Sequence, residues 1–242
     1  MVSRPQSPIQ QHLVDNVSIR RAEGALTDGR GPVARTRTVK SPYFTLGTLV
    51  LLVVLTFRVR AAEVAKPDAN GYIRNWLMLA PIPLSEGRQA GDLLLEEQIK
   101  GESNLRPKAG DTINVNKWEL TWKPVTASTN FFDFNATLKS LNDRAAGYLV
   151  TYIECDREMV GMTMSVGSND QGRIYLNGVD IYAFTEARPL ELDADKGHVR
   201  LKEGINVVVF KIINEQNAWQ GAMRLLDKTG KPLTDFKIKL SP

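Results

Sequence analysis

The chain has 242 residues, 43% of them apolar and 24% charged, which is enough to bury a real core and too apolar for disorder throughout. Of its 31 Lys/Arg and 27 Asp/Glu, residues 1–61 hold 9 and 3, so the formal charge of +4 sits at the N-terminal end and residues 62–242 carry 22 and 24, a net −2. The main body therefore has no electrostatic footprint for a phosphate backbone, and no nucleic-acid partner is expected.

Residues 1–43 are rich in Arg, Ser, Pro, Gly and Gln and poor in large apolar side chains, a composition that predicts a disordered basic tail. The run FTLGTLVLLVVLTF, Phe44 to Phe57, is uncharged and flanked by Arg35, Arg37 and Lys40 before it and Arg58 and Arg60 after it. Fourteen residues make about 21 Å of helix, short of the roughly 30 Å hydrocarbon core, which favours a signal-peptide h-region over a permanent span. Cleavage after Ala61 would use Val59 and Ala61 as the small-residue positions, and the long preceding segment suggests a start downstream of Met1. An uncleaved inner-membrane anchor in 44–61, basic side in the cytoplasm, is the alternative. Either way residues 62–242 are expected to be exported, to the periplasm or beyond, and to meet a membrane only through 44–61. Residues 62–70 read as a linker and 71–242 as one domain.

From Ile73 onward apolar residues recur with period two and turn residues punctuate the pattern. Strands are predicted at about 73–80, 117–124, 147–154, 159–167, 172–177, 179–184, 197–202, 205–213, 219–227 and 234–240. Ile205 to Ile212 is almost continuously apolar, as in a strand covered on both faces. Asn177-Gly178 is a two-residue hairpin signal, and Lys202-Glu203-Gly204 and Lys228-Thr229-Gly230 also read as turns. The stretch 84–112 is a loop-rich insertion in which Leu93, Leu94, Leu95 and Ile99 predict one short helix. The pattern is that of an all-β sandwich or barrel.

Several segments, in order, resemble the jelly-roll modules of large secreted proteins and hydrolase-associated proteins of planctomycete-type bacteria, related to galactose-binding-like and PA14 domains. They are Ile73 to Ile82 (IRNWLMLAPI), Trp122 to Val125, Gly147 to Ile153, Gly167 to Asp170 leading into Ile174 to Gly178 (IYLNG), Leu201 to Asn206, and Trp219 with Met223 to Leu225 and Asp227 to Leu233. The resemblance covers about 71–242. It implies a β-sandwich, a jelly roll, in a binding or accessory role, commonly towards polysaccharide. In PA14-like relatives paired aspartates of the matching turn bind calcium; here the pair is Asn169-Asp170, with Gln171 in place of the family's glycine, so calcium would rest on one carboxylate fewer. The competing reading is that Ser168, Asn169 and Asp170 cap a tight turn.

A sugar site on a sandwich needs exposed aromatic faces beside planar hydrogen-bonding groups. Trp118, Leu120 and Trp122 alternate onto one strand face, the indoles roughly 13 Å apart, although an equally apolar face would suit the core. Tyr175, opposite Ile174 and Leu176, reads as the cleaner exposed aromatic, with Asn177, Arg173 and Asp170 near it. Trp76 and Trp219 are assigned to the core.

Cys155 is the only cysteine, which excludes an intrachain disulfide and a Cys-based zinc cluster and reads as a small buried residue. A nucleophile elbow is missing: Thr163 to Gly167 lacks the first glycine and reads as continuous strand, and His198 is the one candidate base outside the tail. Nothing singles out a carboxylate pair for glycoside hydrolysis. The expected function is a non-catalytic binding module for polysaccharide. The alternatives are a structural domain that packs on an envelope protein and, third, a hydrolase of the acetyl xylan esterase or glycosidase-associated kind.

Overall fold

A computed structural model describes residues 64–242 of the chain. The predicted tail 1–43 and the apolar segment 44–61 lie outside the described residues. Among those described, no helix is long and apolar enough to cross a membrane.

Two antiparallel sheets lie face to face. The larger runs in the order β4 (Lys123–Thr126), β1 (Asn75–Pro83), β6 (Ala145–Cys155), β11 (Gly204–Asn214), β8 (Gln171–Leu176), β9 (Val179–Phe184). A last strand, β13 (Lys237–Lys239), takes the end of the β6 edge that β1 leaves unpaired. The smaller sheet runs β10 (Asp195–Leu201), β7 (Met159–Asn169), β12 (Gln220–Leu226), β5 (Phe132–Asp133). Asn177 and Gly178 both have positive φ, 53° and 88°, and make the tight β8–β9 turn the sequence predicts. The predicted strands other than 117–124 are present within a few residues of their expected bounds.

The sandwich core forms where Trp76, Leu149, Phe210 and Ile174 of the large sheet meet Met162, Met164, Val166 and Met223 of the small one. Trp219 is buried as expected, stacked on Phe134 with ring centroids 4.2 Å apart, and its indole N–H donates to the Ile212 carbonyl. Gly147 underlies this pair, and a Cβ there would stand 2.5 Å from Phe134 Cε1 and 2.6 Å from Trp219 Cζ2.

The other face of the large sheet is covered too. The insertion contributes α1 (Ala90–Leu95), a 3-10 turn (Glu102–Asn104) and a separate hairpin of β2 (Thr112–Val115) and β3 (Trp118–Thr121). Leu84, Leu93, Leu94, Ile99, Val115 and Trp122 pack there on Leu77, Leu79, Val150, Tyr148, Val207 and Val209, a second core. Residues 64–242 thus form three layers, and β1, β6 and β11 read as continuous apolar runs because both their faces are dry. The hairpin also corrects the predicted strand 117–124: at Trp122 the chain leaves β2 and joins β1 as β4, with the Trp122 N–H donating to the Asp111 carbonyl.

Candidate functional site

The third layer changes the meaning of the sequence-derived site. Tyr175 does lie opposite Ile174 and Leu176, but that face is under the insertion, so it is 5% exposed rather than an open platform. Its hydroxyl donates to Glu102 Oε1 at 2.7 Å. Arg173, beside it, binds Asp180 and donates to the Leu95 carbonyl at 2.8 Å, fastening the end of α1. Asn177 holds the hairpin, accepting from the Val207 N–H and donating to Asn206 Oδ1. All three are structural anchors here. Trp118 and Trp122 are not brought together: Trp122 is 3% exposed in the second core, while Trp118, at the hairpin tip, is 57% exposed. The apolar-face reading therefore holds for Trp122 and fails for Trp118.

Beneath the insertion lies an ionic cluster. Lys211 is the one charged side chain of the run 205–212, and it meets Glu102, both fully buried, at 3.1 Å. The ammonium also donates to the carbonyls of Leu94 and Glu96, and the carboxylate accepts from Tyr148, Tyr175 and the Gln98 N–H. Burial pushes the Lys211 ammonium below the ordinary lysine value, with Glu102 opposing. Burial first, and then the Glu102 charge, push the Tyr148 phenol well up. Every polar atom at the centre of this cluster has a partner, so it joins insertion to sheet rather than offering a ligand site.

Among the described residues, Ser165 and His198 make no hydrogen bond to each other. Ser165 lies within β7 as expected, and its hydroxyl donates to Asp193, which also pairs with Arg224. His198 is exposed on β10, opposite Thr163.

The Asn169-Asp170 connection lies at one end of the sandwich, where β7 passes to β8. Ser168 donates to the Asp170 carbonyl, as the capping reading expects, whereas Asp170 Oδ2 reaches out of the turn and accepts from the Glu215 N–H at 2.8 Å. Burial pushes the Asp170 carboxyl up, against amides of Glu215, Gln216 and Arg188 that favour its charged form. The oxygen donors at this turn are the Asp170 carboxylate and Asn169 Oδ1, which is buried without a partner among the described residues. Asp170 is engaged by backbone amides, and among the described residues no three His, Cys, Asp or Glu side chains are placed to share a metal.

Beside this turn is a feature that the sequence reading missed. A groove of about 370 Å³ opens between α1, the segment after β9 and the end of β11. Gln89, Asp92, Thr185, Glu186 and Glu215 line it with polar atoms, and Leu95 adds an apolar wall. Gly91 brings α1 against the opposite wall: a Cβ there would stand 2.6 Å from the Thr185 carbonyl. Neighbouring cations are committed elsewhere, Arg88 to Glu96, Arg144 to Glu86, Arg173 to Asp180 and Arg188 to Asp195. Gln171 is buried behind Glu215, its Nε2 donating to Glu215 Oε1 at 2.5 Å, and its Oε1 has no partner among the described residues. No local motif marks the groove, because its walls come from three segments far apart in sequence.

No family model matches the chain, and no curated protein matches it in sequence. Among solved structures it is similar to an anti-sigma factor domain-containing protein, at 11% identity over 56% of this chain and TM-score 0.40, and spans 46% of that chain's length. It is also similar to a PA14 sugar-binding domain from an RTX adhesin, at 15% identity over 68% of this chain and 74% of that one, TM-score 0.33. A third likeness is to the PA14 domain of the MpAFP antifreeze protein, at 10% identity over 75% of this chain and 98% of that one, TM-score 0.36.

Proposed function

We propose that residues 71–242 form an exported, non-catalytic carbohydrate-binding module whose ligand lies in the groove between α1 and the end of β11. The observation that carries this reading is the groove's lining: amide, hydroxyl and carboxylate oxygens of Gln89, Thr185, Asp92, Glu186 and Glu215 beside the half-exposed Leu95. A sugar offers hydroxyl donors around its rim and a C–H face, and this wall supplies acceptors together with an apolar contact. Export is supported by the apolar run Phe44 to Phe57 with its basic flank.

The test is retention of the purified protein on a panel of insoluble polysaccharides and a glycan array, alongside Glu215→Gln and Trp118→Ala. The proposal expects Glu215→Gln to weaken retention and Trp118→Ala to leave it. Loss on Trp118→Ala alone would move the site to the β2–β3 hairpin tip. Retention on no glycan would sink the reading and favour a domain that packs on another protein.

A further inference from the structure

The groove also carries information on which carbohydrate it would take. Asp92, Glu186 and Glu215 line it, and among the described residues none of the three makes a salt bridge, while Arg88, Arg144, Arg173 and Arg188 around it are each held by another carboxylate. Gln171 provides a second, independent observation. It is 1% exposed, and it alternates with Arg173 and Tyr175 onto the face of the large sheet that α1 covers. Its head group reaches Glu215 in the groove wall. Turning that amide over would set its oxygen against a carboxylate oxygen, so Nε2 must face Glu215 and Oε1 is left as a buried acceptor behind the groove wall. Carboxylates held in no salt bridge, one of them bonded to a buried amide whose oxygen is unpaired, call for a ligand that brings donors and positive charge.

We infer that this groove, if it is the carbohydrate site proposed above, selects polymers of amino sugars with free, protonated amines over uronic-acid or sulfated polymers. A protonated amine donates up to three hydrogen bonds and would be shared between Glu215 and Glu186 or Asp92, whereas a uronate would meet like charge with no arginine free to turn towards it.

The experiment compares retention of the full chain on beads of chitosan, chitin, cellulose and polygalacturonate, at one pH where amino-sugar amines are protonated and one where they are neutral. Glu215→Gln and the exposed pair Asp92→Asn/Glu186→Gln are measured beside it, so the test survives if Glu215→Gln fails to fold. A charge-matched control, Asp156→Asn/Glu158→Gln, removes two acids from the β6–β7 turn at the other end of the sandwich. The expected result is preference for chitosan only while its amines are charged, reduced roughly tenfold or more by either groove variant, the size of a lost charge-assisted hydrogen bond. Equal weakening by the control would mean bulk charge attraction and overturn the inference. Preference for chitin, cellulose or polygalacturonate would overturn it while leaving the carbohydrate-binding reading in place, and retention on none would overturn both.

Discussion

Lys211→Met removes the ammonium that ties the insertion to the large sheet and leaves the rest of the site filled. In the folded protein Lys211 Nζ has four acceptors: the carbonyls of Leu94 and Glu96 and both oxygens of Glu102. Without it the Glu102 carboxylate stays buried with neutral donors from Tyr148, Tyr175 and Gln98, and the carbonyls of Leu94 and Glu96 keep only long bonds of 3.4 Å from Arg173 and Gln98. Breaking a fully buried pair from one side costs about 3–5 kcal/mol, roughly a fifth or more of the stability of an ordinary domain. In urea, with a slope of about 2 kcal/mol per M, the midpoint falls by about 2 M. Glu102→Gln strands the cation instead and costs a similar amount. The double variant Lys211→Met/Glu102→Gln carries no unpaired charge, so its cost falls short of the sum of the singles by about 2 kcal/mol. Amide hydrogen exchange in the singles should rise first in residues 84–122, which the pair secures, before it rises in β6 and β11. Singles that each shift the midpoint by under about 0.3 M, or a strictly additive double, would refute the claim that this pair holds the third layer down.

The phenols of Tyr148, Tyr152, Tyr175 and Tyr182 are all raised above the ordinary tyrosine value, burial being the largest cause in each. Unfolded tyrosines release their proton near pH 10, so above that pH the folded state holds more protons than the unfolded one and stability falls as pH rises. Absorbance titration should show these four ionising together with unfolding, and reversible ionisation near pH 10 in the native protein would count against it. Burial, then the charges of Asp156 and Glu154, push the Cys155 thiol up to about 11. A thiol reagent at pH 8 should therefore label Cys155 slowly until denaturant is added, and rapid native labelling would contradict its place in the core. Gly147→Ala drives a methyl into the Phe134–Trp219 stack and should cost about 1–3 kcal/mol by overpacking. A thermal melt should fall by about 3–10 °C, and an unchanged melting temperature would mean that the stack yields more easily than its geometry suggests.

Local signals carried much of the fold. Asn177-Gly178 specifies its own turn, since both residues take positive φ that most side chains resist. The unbroken run of β11 announced burial on two faces. Alternation, however, states only which residues share a face, never whether that face is wet, and this is why the sequence pattern alone presents Tyr175 and Arg173 as a surface site. The signal that could have corrected them was Lys211: a lysine in a doubly covered strand requires a buried partner. Nothing local picks Glu102 from among Glu96, Glu97 and Glu102 for that role, because the choice depends on how residues 84–122 lie across the sheet. The Trp118–Trp122 spacing failed for a similar reason: alternation assumes one continuous strand, and the chain changes pairing partner at Trp122.

The same insertion determines where a ligand can approach. With one face of the large sheet on the small sheet and the other on residues 84–122, neither face is left for the flat aromatic platform that exposed strands would offer. The groove proposed as the carbohydrate site lies at one end of these layers, where connections from different strands converge. At the Asp170 end this convergence has a mechanism. Asp170 binds the Glu215 amide, Arg173 and Lys211 bind carbonyls at the end of α1, and Gly91 allows α1 to close on Thr185. The buried polar groups that replaced the expected sugar site are therefore the groups that fix the walls of the groove. Weakening them should loosen α1 against β11 and blunt binding there without any change to a side chain that touches the ligand.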